Sequence, residues 1–271
     1  MMATMRRMAL RVRPVAITAL ALTGVLALSH GSAHALSSRL WQLVHEQCVV
    51  HARAKEPPSP CVDVVMDGED AQAAEDAGSA ILKDRRGVLQ FLLIPTGRSS
   101  GVEDPRLLGD DAPPYWERAW AARRFMSELH GSPVPREAVS LAINSTWSRS
   151  EDQLHIHVSC VRADIRAHLS GVGSTVGESW APLDGGWMGH PLWVRRIVAE
   201  DLSGVDPFRD VADHVPGARD SMGRFGIAVV GARFSDGRSG FFLVADPVDL
   251  GAGALGSAER DVQDHDCGVL R

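Results

Sequence analysis

The segment from Gln153 to Cys160 reads QLHIHVSC and alternates polar with large apolar residues. Side chains on a β-strand point to opposite faces with a period of two. A strand here therefore places Leu154, Ile156, Val158 and Cys160 on a core face, and Gln153, His155, His157 and Ser159 on a polar face. Two imidazoles side by side can supply a nucleophile, a proton donor or two metal ligands. A strand histidine is also commonly a hydrogen-bonded structural residue, so this segment predicts a strand and leaves its chemistry open.

The N-terminus has the three-part layout of a secretory leader. Arginines 6, 7, 11 and 13 precede an apolar stretch at 14–28, and the small-residue sequence Ala33-His34-Ala35 follows. We predict that residues 1–35 are a signal peptide or signal anchor and that 36–271 form the catalytic domain. The apolar stretch is shorter than the roughly 20 residues that cross a bilayer comfortably. The cleavage site and a retained anchor are therefore both open, and in either case the arginines place the domain outside the cytoplasm.

Charge and cysteine content narrow the function classes. The formal net charge of the whole chain is −6. Residues 1–35 carry +4, so residues 36–271 carry −10. Nucleic acid is therefore not expected as a partner, since binding it requires clustered Lys and Arg. Four cysteines in an exported chain predict disulfides, with three pairings possible. The short Pro-rich loop between Cys48 and Cys61 favours that pair, which leaves Cys160 with Cys267.

The remaining patterns predict an α+β fold, a mainly antiparallel sheet with flanking helices. Hairpins are expected at 80–84 with 88–94 and at 224–234 with 240–244, and strand 138–144 should pair with the histidine strand. Helices are expected at 37–48, 115–130, 162–169 and 207–215. The acidic, Ala-rich segment 68–78 is expected to be solvated or loosely ordered, and 191–197 is ambiguous between strand and helix.

A neutral imidazole can attack phosphorus through one nitrogen when a carbonyl holds the proton of the other. Such a site also needs donors near the leaving and non-bridging oxygens. His157 is a candidate for the leaving oxygen, and Arg149, Ser150 and the backbone of loop 145–152 are candidates for the non-bridging oxygens. Asn144, at the end of the preceding strand, is a candidate for holding a sugar or phosphate.

The arrangement resembles the histidine triad hydrolases and transferases, which carry a strand of alternating histidines whose middle histidine is the nucleophile. QLHIHVS matches this pattern with Gln153 in the first position. The resemblance implies that His155 is the nucleophile, that His157 assists the leaving group and that Ser150 touches the phosphate. Gln153 departs from the pattern: it can donate a hydrogen bond but cannot take up a proton.

A narrower resemblance is to the bacterial CDP-diacylglycerol diphosphatases, the CDP-diglyceride hydrolases of the inner membrane. It implies a histidine-triad-like fold and hydrolysis of CDP-diacylglycerol at a membrane surface to CMP and phosphatidate, without a cofactor or metal. Lys83 and Arg149 are candidates for screening the diphosphate charge. The resemblance rests on segments in the same order along the chain, at 57–61, 82–96, 133–145, 155–162, 222–229 and 263–267. We interpret the other polar residues of this region as structural rather than catalytic: His190, Arg195, Arg196, Arg224 and His265.

Two alternatives stay open. The first is a histidine triad hydrolase of soluble nucleotide diphosphates, although export leaves few such substrates. The second is an exported metal-binding protein that uses His155 and His157. A zinc site needs at least three protein ligands, and no third ligand accompanies this pair at a typical spacing.

Overall fold

The structure is a computed structural model that describes residues 39–66, 68 and 70–271. The predicted leader and the first two residues of the predicted helix lie outside this range. The described part of that helix is a continuous run of α1 (Arg39–Leu43), one π-helical turn (Val44–Cys48) and α2 (Val49–Arg53). Its apolar side packs on the first strands of the sheet through Val44, Cys48 and Val49. The predicted helix is confirmed and continues five residues beyond Cys48.

One sheet organises the described chain, and all its strand pairs are antiparallel. Its main path has the order β1-β2-β3-β5-β4-β8-β9-β7-β6, with β10 paired to β9 and β11 paired to β5. The strands are β1 (Cys61–Val65), β2 (Ser79–Lys83), β3 (Phe91–Pro95), β4 (Val139–Ile143), β5 (Ile156–Val161), β6 (Ala181–Pro182), β7 (Trp193–Val198), β8 (Phe225–Arg233), β9 (Ser239–Asp249), β10 (Ala254–Leu255) and β11 (Gln263–Asp264).

Helices cover both faces of the sheet. They are α3 (Ala71–Asp76), α4 (Tyr115–Ala121), α5 (Arg123–His130), α6 (Ala163–Val172), α7 (Pro207–His214) and α8 (Ala258–Val262). Trp116 and Trp120 of α4 and Phe208 of α7 belong to the core on one face. Ile165 of α6 and Val262 of α8 belong to the core on the other. The predicted α+β class is confirmed.

The two predicted hairpins form as β2–β3 and β8–β9, the β4–β5 pair is confirmed, and the ambiguous segment becomes β7. Two expectations are refined. Segment 68–78, expected to be solvated or loosely ordered, is mostly exposed but contains α3, because the Asp70 side chain caps the amides of Gln72 and Ala73 at the start of an Ala-rich turn. The helix predicted over 115–130 is present, but it is divided into α4 and α5 at Ala122.

The alternation predicted for the histidine strand is confirmed, although β5 itself begins only at Ile156. Leu154, Ile156, Val158 and Cys160 all lie in one core cluster. The polar face is also covered, since Gln153 and Ser159 are completely buried. Gln153 contacts the backbone that follows β3, and Gln263 of the C-terminal segment donates to the carbonyls of Ser140 and His157.

Both predicted disulfides are present, Cys48–Cys61 and Cys160–Cys267. The second joins the core face of β5 to the C-terminal segment, so that β11 pairs with the end of β5 beyond β3. None of the helices in the described part of the chain is both long and apolar enough to cross a bilayer.

Candidate active site

His155 lies immediately before β5, and its ring faces that of His157. The ring centroids are 4.9 Å apart with an angle of 64° between the planes. His155 is largely buried, with 7% of its surface exposed. The two histidines singled out from the sequence therefore form a close pair at the edge of the buried face.

The proton of His155 can be assigned from its partner. Its Nδ1 lies 2.7 Å from the carbonyl oxygen of Gln153, which can only accept a hydrogen bond. Nδ1 therefore carries the proton, and the neutral ring keeps its lone pair on Nε2. Burial lowers the pKa of His155, and this outweighs the opposing effects of the Gln153 carbonyl and the Glu259 charge. The ring is thus neutral, with a basic Nε2, at pH 7.

His157 has the opposite tautomer. The Gln90 amide nitrogen donates to Asp84 Oδ2 at 2.9 Å and lies 3.0 Å from His157 Nδ1. It also lies 3.5 Å from Glu259 Oε1. An amide nitrogen can only donate, so Nδ1 of His157 accepts and Nε2 carries the proton. Burial, followed by the neighbouring His155, holds the pKa of His157 well below its usual value. Nε2 is buried and has no aligned hydrogen-bond partner among the described residues.

Glu259, on α8, belongs to this site although no sequence pattern indicated it. Its Oε2 lies 3.3 Å from His157 Nε2 and accepts a hydrogen bond of 2.9 Å from the Asn144 side chain. The Asn144 oxygen in turn accepts from the Glu259 backbone N–H at 3.1 Å. His265 Nε2 lies 3.4 Å from Glu259 Oε1. The structure therefore brings the predicted Asn144 to the histidine pair through Glu259, and it adds Gln90 and Glu259 to the predicted set.

Gln153 is held by the backbone that follows β3. Its side-chain nitrogen donates to the carbonyls of Pro95 at 3.1 Å and Gly97 at 2.9 Å, and its oxygen lies 3.4 Å from the Ser99 N–H. These contacts use both amide protons and fix the backbone carbonyl that holds His155. That Gln153 binds substrate stays a prediction; its observed contacts hold the carbonyl that accepts the hydrogen bond from His155.

The two predicted residues of loop 145–152, Arg149 and Ser150, differ in burial and in partners. Arg149 is mostly buried and pairs with Glu103 at 2.5 Å and with Asp152 at 2.7 Å. Ser150 is exposed at the surface of the loop. The loop is tied to β10 and to the turn that follows it, because the Ser145 hydroxyl donates to Leu255 O and the Ser148 hydroxyl to Gly256 O.

Lys83 lies at the end of β2, and its Nζ donates to the carbonyls of Asp84 at 2.7 Å and Gly87 at 2.9 Å. Burial lowers its pKa. These bonds close the β2–β3 hairpin, which also carries Gln90 to His157.

The residues interpreted as structural have structural partners. Arg195 pairs with Asp210, Arg196 lies over the Phe234 ring, and Arg224 donates to Val248 O. His190 lies near Asp246 and Asp261, and neither of these contacts involves His155 or His157. His265 differs, since it contacts Glu259 and so borders the candidate active site.

Two comparisons with known proteins bear on the family of this chain. The family model described as CDP-diacylglycerol pyrophosphatase matches residues 35–271, a range that includes every site residue named above. The chain is also 42% identical over 231 residues to the CDP-diacylglycerol pyrophosphatase of Yersinia pestis, an alignment that covers 85% of this chain and 84% of that protein. The chain belongs to the CDP-diacylglycerol pyrophosphatase family.

Proposed function

We propose that this chain hydrolyses CDP-diacylglycerol to CMP and phosphatidate through a covalent intermediate on His155. Family membership supports the substrate and the overall reaction. One observation carries the mechanism: the hydrogen bond from His155 Nδ1 to the Gln153 carbonyl, which leaves Nε2 as the nucleophilic atom.

In the first step His155 Nε2 attacks the phosphorus of the CMP moiety and forms a P–N bond. The bond to the bridging oxygen breaks, and its electron pair leaves on phosphatidate. The second ionisation of a phosphate monoester has a pKa of about 6, so this group can leave as a dianion at neutral pH. The positive charge on the modified imidazole is stabilised by the Gln153 carbonyl and by the charge of Glu259, both of which favour the charged ring.

His157 assists by donating a hydrogen bond from Nε2 to the departing oxygen. A neutral imidazole protonated only at Nε2 cannot give that proton away without becoming an anion. Its contribution is therefore electrostatic, strongest where charge develops on the leaving group. The Gln90 amide keeps the ring in the required tautomer.

In the second step water attacks the cytidylyl phosphorus, the P–N bond breaks and its electron pair returns to His155 Nε2. We assign the proton of this water to Glu259, whose carboxylate lies beside His157 and is partly exposed. Glu259 then releases the proton to solvent, which completes the cycle with one water consumed.

Five further residues are proposed to bind the substrate: Asn144, Arg149, Ser150, Gln153 and Lys83. Asn144 has the strongest support, since it contacts Glu259 directly. Ser150 is exposed, so a phosphate could contact its hydroxyl without a change in the loop. Arg149, Gln153 and Lys83 would act on the substrate only after exchanging their present partners, so we place them in supporting positions.

We also propose that the domain is of the histidine triad superfamily and acts at the membrane surface. The strand pattern ending in His155 and His157 supports the first proposal, with Gln153 in the place of the first histidine. A leader or anchor at 1–35 and a lipid substrate support the second, with the catalytic domain on the periplasmic side of the inner membrane.

The test uses CDP-diacylglycerol labelled at the CMP phosphorus, in detergent, with an alkaline quench because phosphoramidates are acid-labile. We expect acid-labile label on the wild-type chain and none on His155→Ala, whose activity falls by at least about 10³-fold. His130→Ala, at an exposed histidine that ends α5, is the matched control and should behave as wild type. Wild-type turnover without a labelled adduct, or an active His155→Ala, would refute the covalent mechanism.

A parallel assay of ADP-ribose and diadenosine tetraphosphate tests the substrate class. We expect the lipid substrate to give the higher kcat/KM. Preference for either soluble compound would favour a hydrolase of soluble nucleotides, whatever the outcome of the labelling.

A further inference from the structure

A second cluster of ionisable groups lies on the same sheet face as the histidine pair, outside the proposed catalytic network. His190 comes from the loop before β7, Asp246 from β9 and Asp261 from α8, and all three are buried. One donor atom from each lies within 4.8 Å of the other two. His190 Nδ1 is 3.7 Å from Asp246 Oδ1, and His190 Nε2 is 3.5 Å from Asp261 Oδ2.

Four polar atoms of this cluster lack a hydrogen-bond partner among the described residues. Both carboxylate oxygens of Asp246, Oδ2 of Asp261 and Nδ1 of His190 are buried without a hydrogen bond among the described residues. The Asp246 side chain is only 1% exposed. Unpaired buried carboxylates are strongly disfavoured, and buried charges are normally paired or bound to a metal. Arg260 contacts only the other oxygen of Asp261, at 3.1 Å.

We propose that His190, Asp246 and Asp261 bind a divalent transition-metal cation, for which zinc is the probe. One imidazole nitrogen with two carboxylate oxygens is a mixed donor set that suits zinc or manganese, whereas calcium and magnesium prefer oxygen alone. Donor atoms around a tetrahedral zinc are about 3.3 Å apart, so the observed spacing requires only small side-chain movements. Two carboxylates and a dication sum to zero charge, which removes the cost of burying the pair.

The surrounding structure holds these ligands in place. Trp187 and His190 exchange backbone hydrogen bonds of 2.8 and 3.0 Å, and the Trp187 indole donates to Asp261 O at 3.1 Å. Asp246 pairs across the sheet with Gly226, where an added Cβ would lie 2.5 Å from Gly256 O and 3.0 Å from the Ala258 side chain. This glycine lets α8 approach the sheet beside Asp246.

The metal would therefore join the His190 loop, β9 and α8. Helix α8 also carries Glu259 to His157, two residues before Asp261. The site is expected to stabilise the fold and to fix α8; it is separate from the covalent chemistry and does not depend on it.

The competing arrangement is a proton shared between the two carboxyl groups. Without a cation, burial and then the Asp261 charge raise the pKa of Asp246 to about 8. In that case Asp246 would hold the shared proton at pH 7, Asp246→Asn would leave the charge of the pair unchanged, and the protein would bind no metal.

The experiment measures metal bound to the purified full chain by mass spectrometry, as isolated and after equilibration with zinc chloride and gel filtration. We expect about one transition metal per chain in the wild type and at least a tenfold lower content in His190→Gln and in Asp246→Asn. His214→Gln is the matched control, because exposed His214 also lies 3.1 Å from a carboxylate, that of Asp210. It should retain the metal.

Thermal unfolding gives a second readout that does not depend on activity. Zinc should raise the Tm of chelator-treated wild type and of His214→Gln, and not that of His190→Gln. Stoichiometric manganese or iron that is lost in the same variants supports the site equally. A wild type with no more metal than the variants, or a zinc-induced Tm increase equal in wild type and His190→Gln, would overturn the proposal.

Discussion

The two disulfides close loops of very different length in equally buried surroundings. Cys48–Cys61 has a sequence separation of 13 residues and Cys160–Cys267 one of 107. All four cysteines are buried, with no more than 6% of any exposed. Replacing each pair by two alanines therefore removes the same atoms from similar packing, so the difference between the two double variants reports mainly on loop length.

The chain-entropy relation gives a loss of about 3 kcal/mol for the short loop and about 5 kcal/mol for the long one. The expected difference in the free energy of unfolding is thus about 2 kcal/mol, or roughly 4–8 °C in Tm for a domain of this size. The long-loop variant should also lose activity. It frees the segment that carries Gln263, which donates to the His157 carbonyl at 3.2 Å, and His265, which contacts Glu259.

The assay is urea unfolding followed by tryptophan fluorescence, with activity measured below the transition. If the two double variants lose the same stability, or the short-loop variant loses more, loop closure does not explain the stabilisation. Full activity in the long-loop variant would show that the C-terminal segment holds its place over β5 without the disulfide.

Four further predictions concern the candidate active site. Glu259→Gln keeps the shape of the side chain but removes its charge, and should lower kcat by about 10- to 150-fold, the equivalent of one charged hydrogen bond; Glu178→Gln, at an exposed site, is the control, and equal rates would exclude a role for the charge. The acid limb of kcat/KM should lie below pH 6.5, because burial lowers the pKa of His155; a limb above 6.5 would contradict a buried neutral nucleophile. The pKa of His157 is also lower in the folded protein than in the unfolded chain, so the stability that the neutral ring contributes is present above pH 6.5 and is lost as the pH falls towards the folded pKa. In urea titrations, wild type should therefore lose more stability than His157→Gln between pH 7 and pH 5. Gln153→Ala should lower kcat more than it raises KM, because it frees the carbonyl that orients His155; a pure KM effect would instead favour direct substrate binding.

Local patterns in the sequence were sufficient for much of the fold. The period-two alternation of QLHIHVSC predicted which side chains of β5 enter the core, because that pattern depends only on strand geometry. The same holds for the hairpins at β2–β3 and β8–β9. Composition alone did not predict the short helix α3 in segment 68–78, because that helix depends on the cap that the Asp70 side chain supplies.

The sequence by itself determined the nucleophile candidate and its neighbour and favoured the disulfide pairing that the structure has, since these depend on residues close in the chain and on the short loop between Cys48 and Cys61. Only the tertiary structure decided which nitrogen of His155 and of His157 carries the proton and how deeply the two rings are buried. Gln90 reaches His157 across 67 positions of sequence, and Asn144 reaches Glu259 across 115. Contacts between such distant residues leave no periodic trace in the chain, because they arise from how the strands and α8 pack rather than from any local conformational preference.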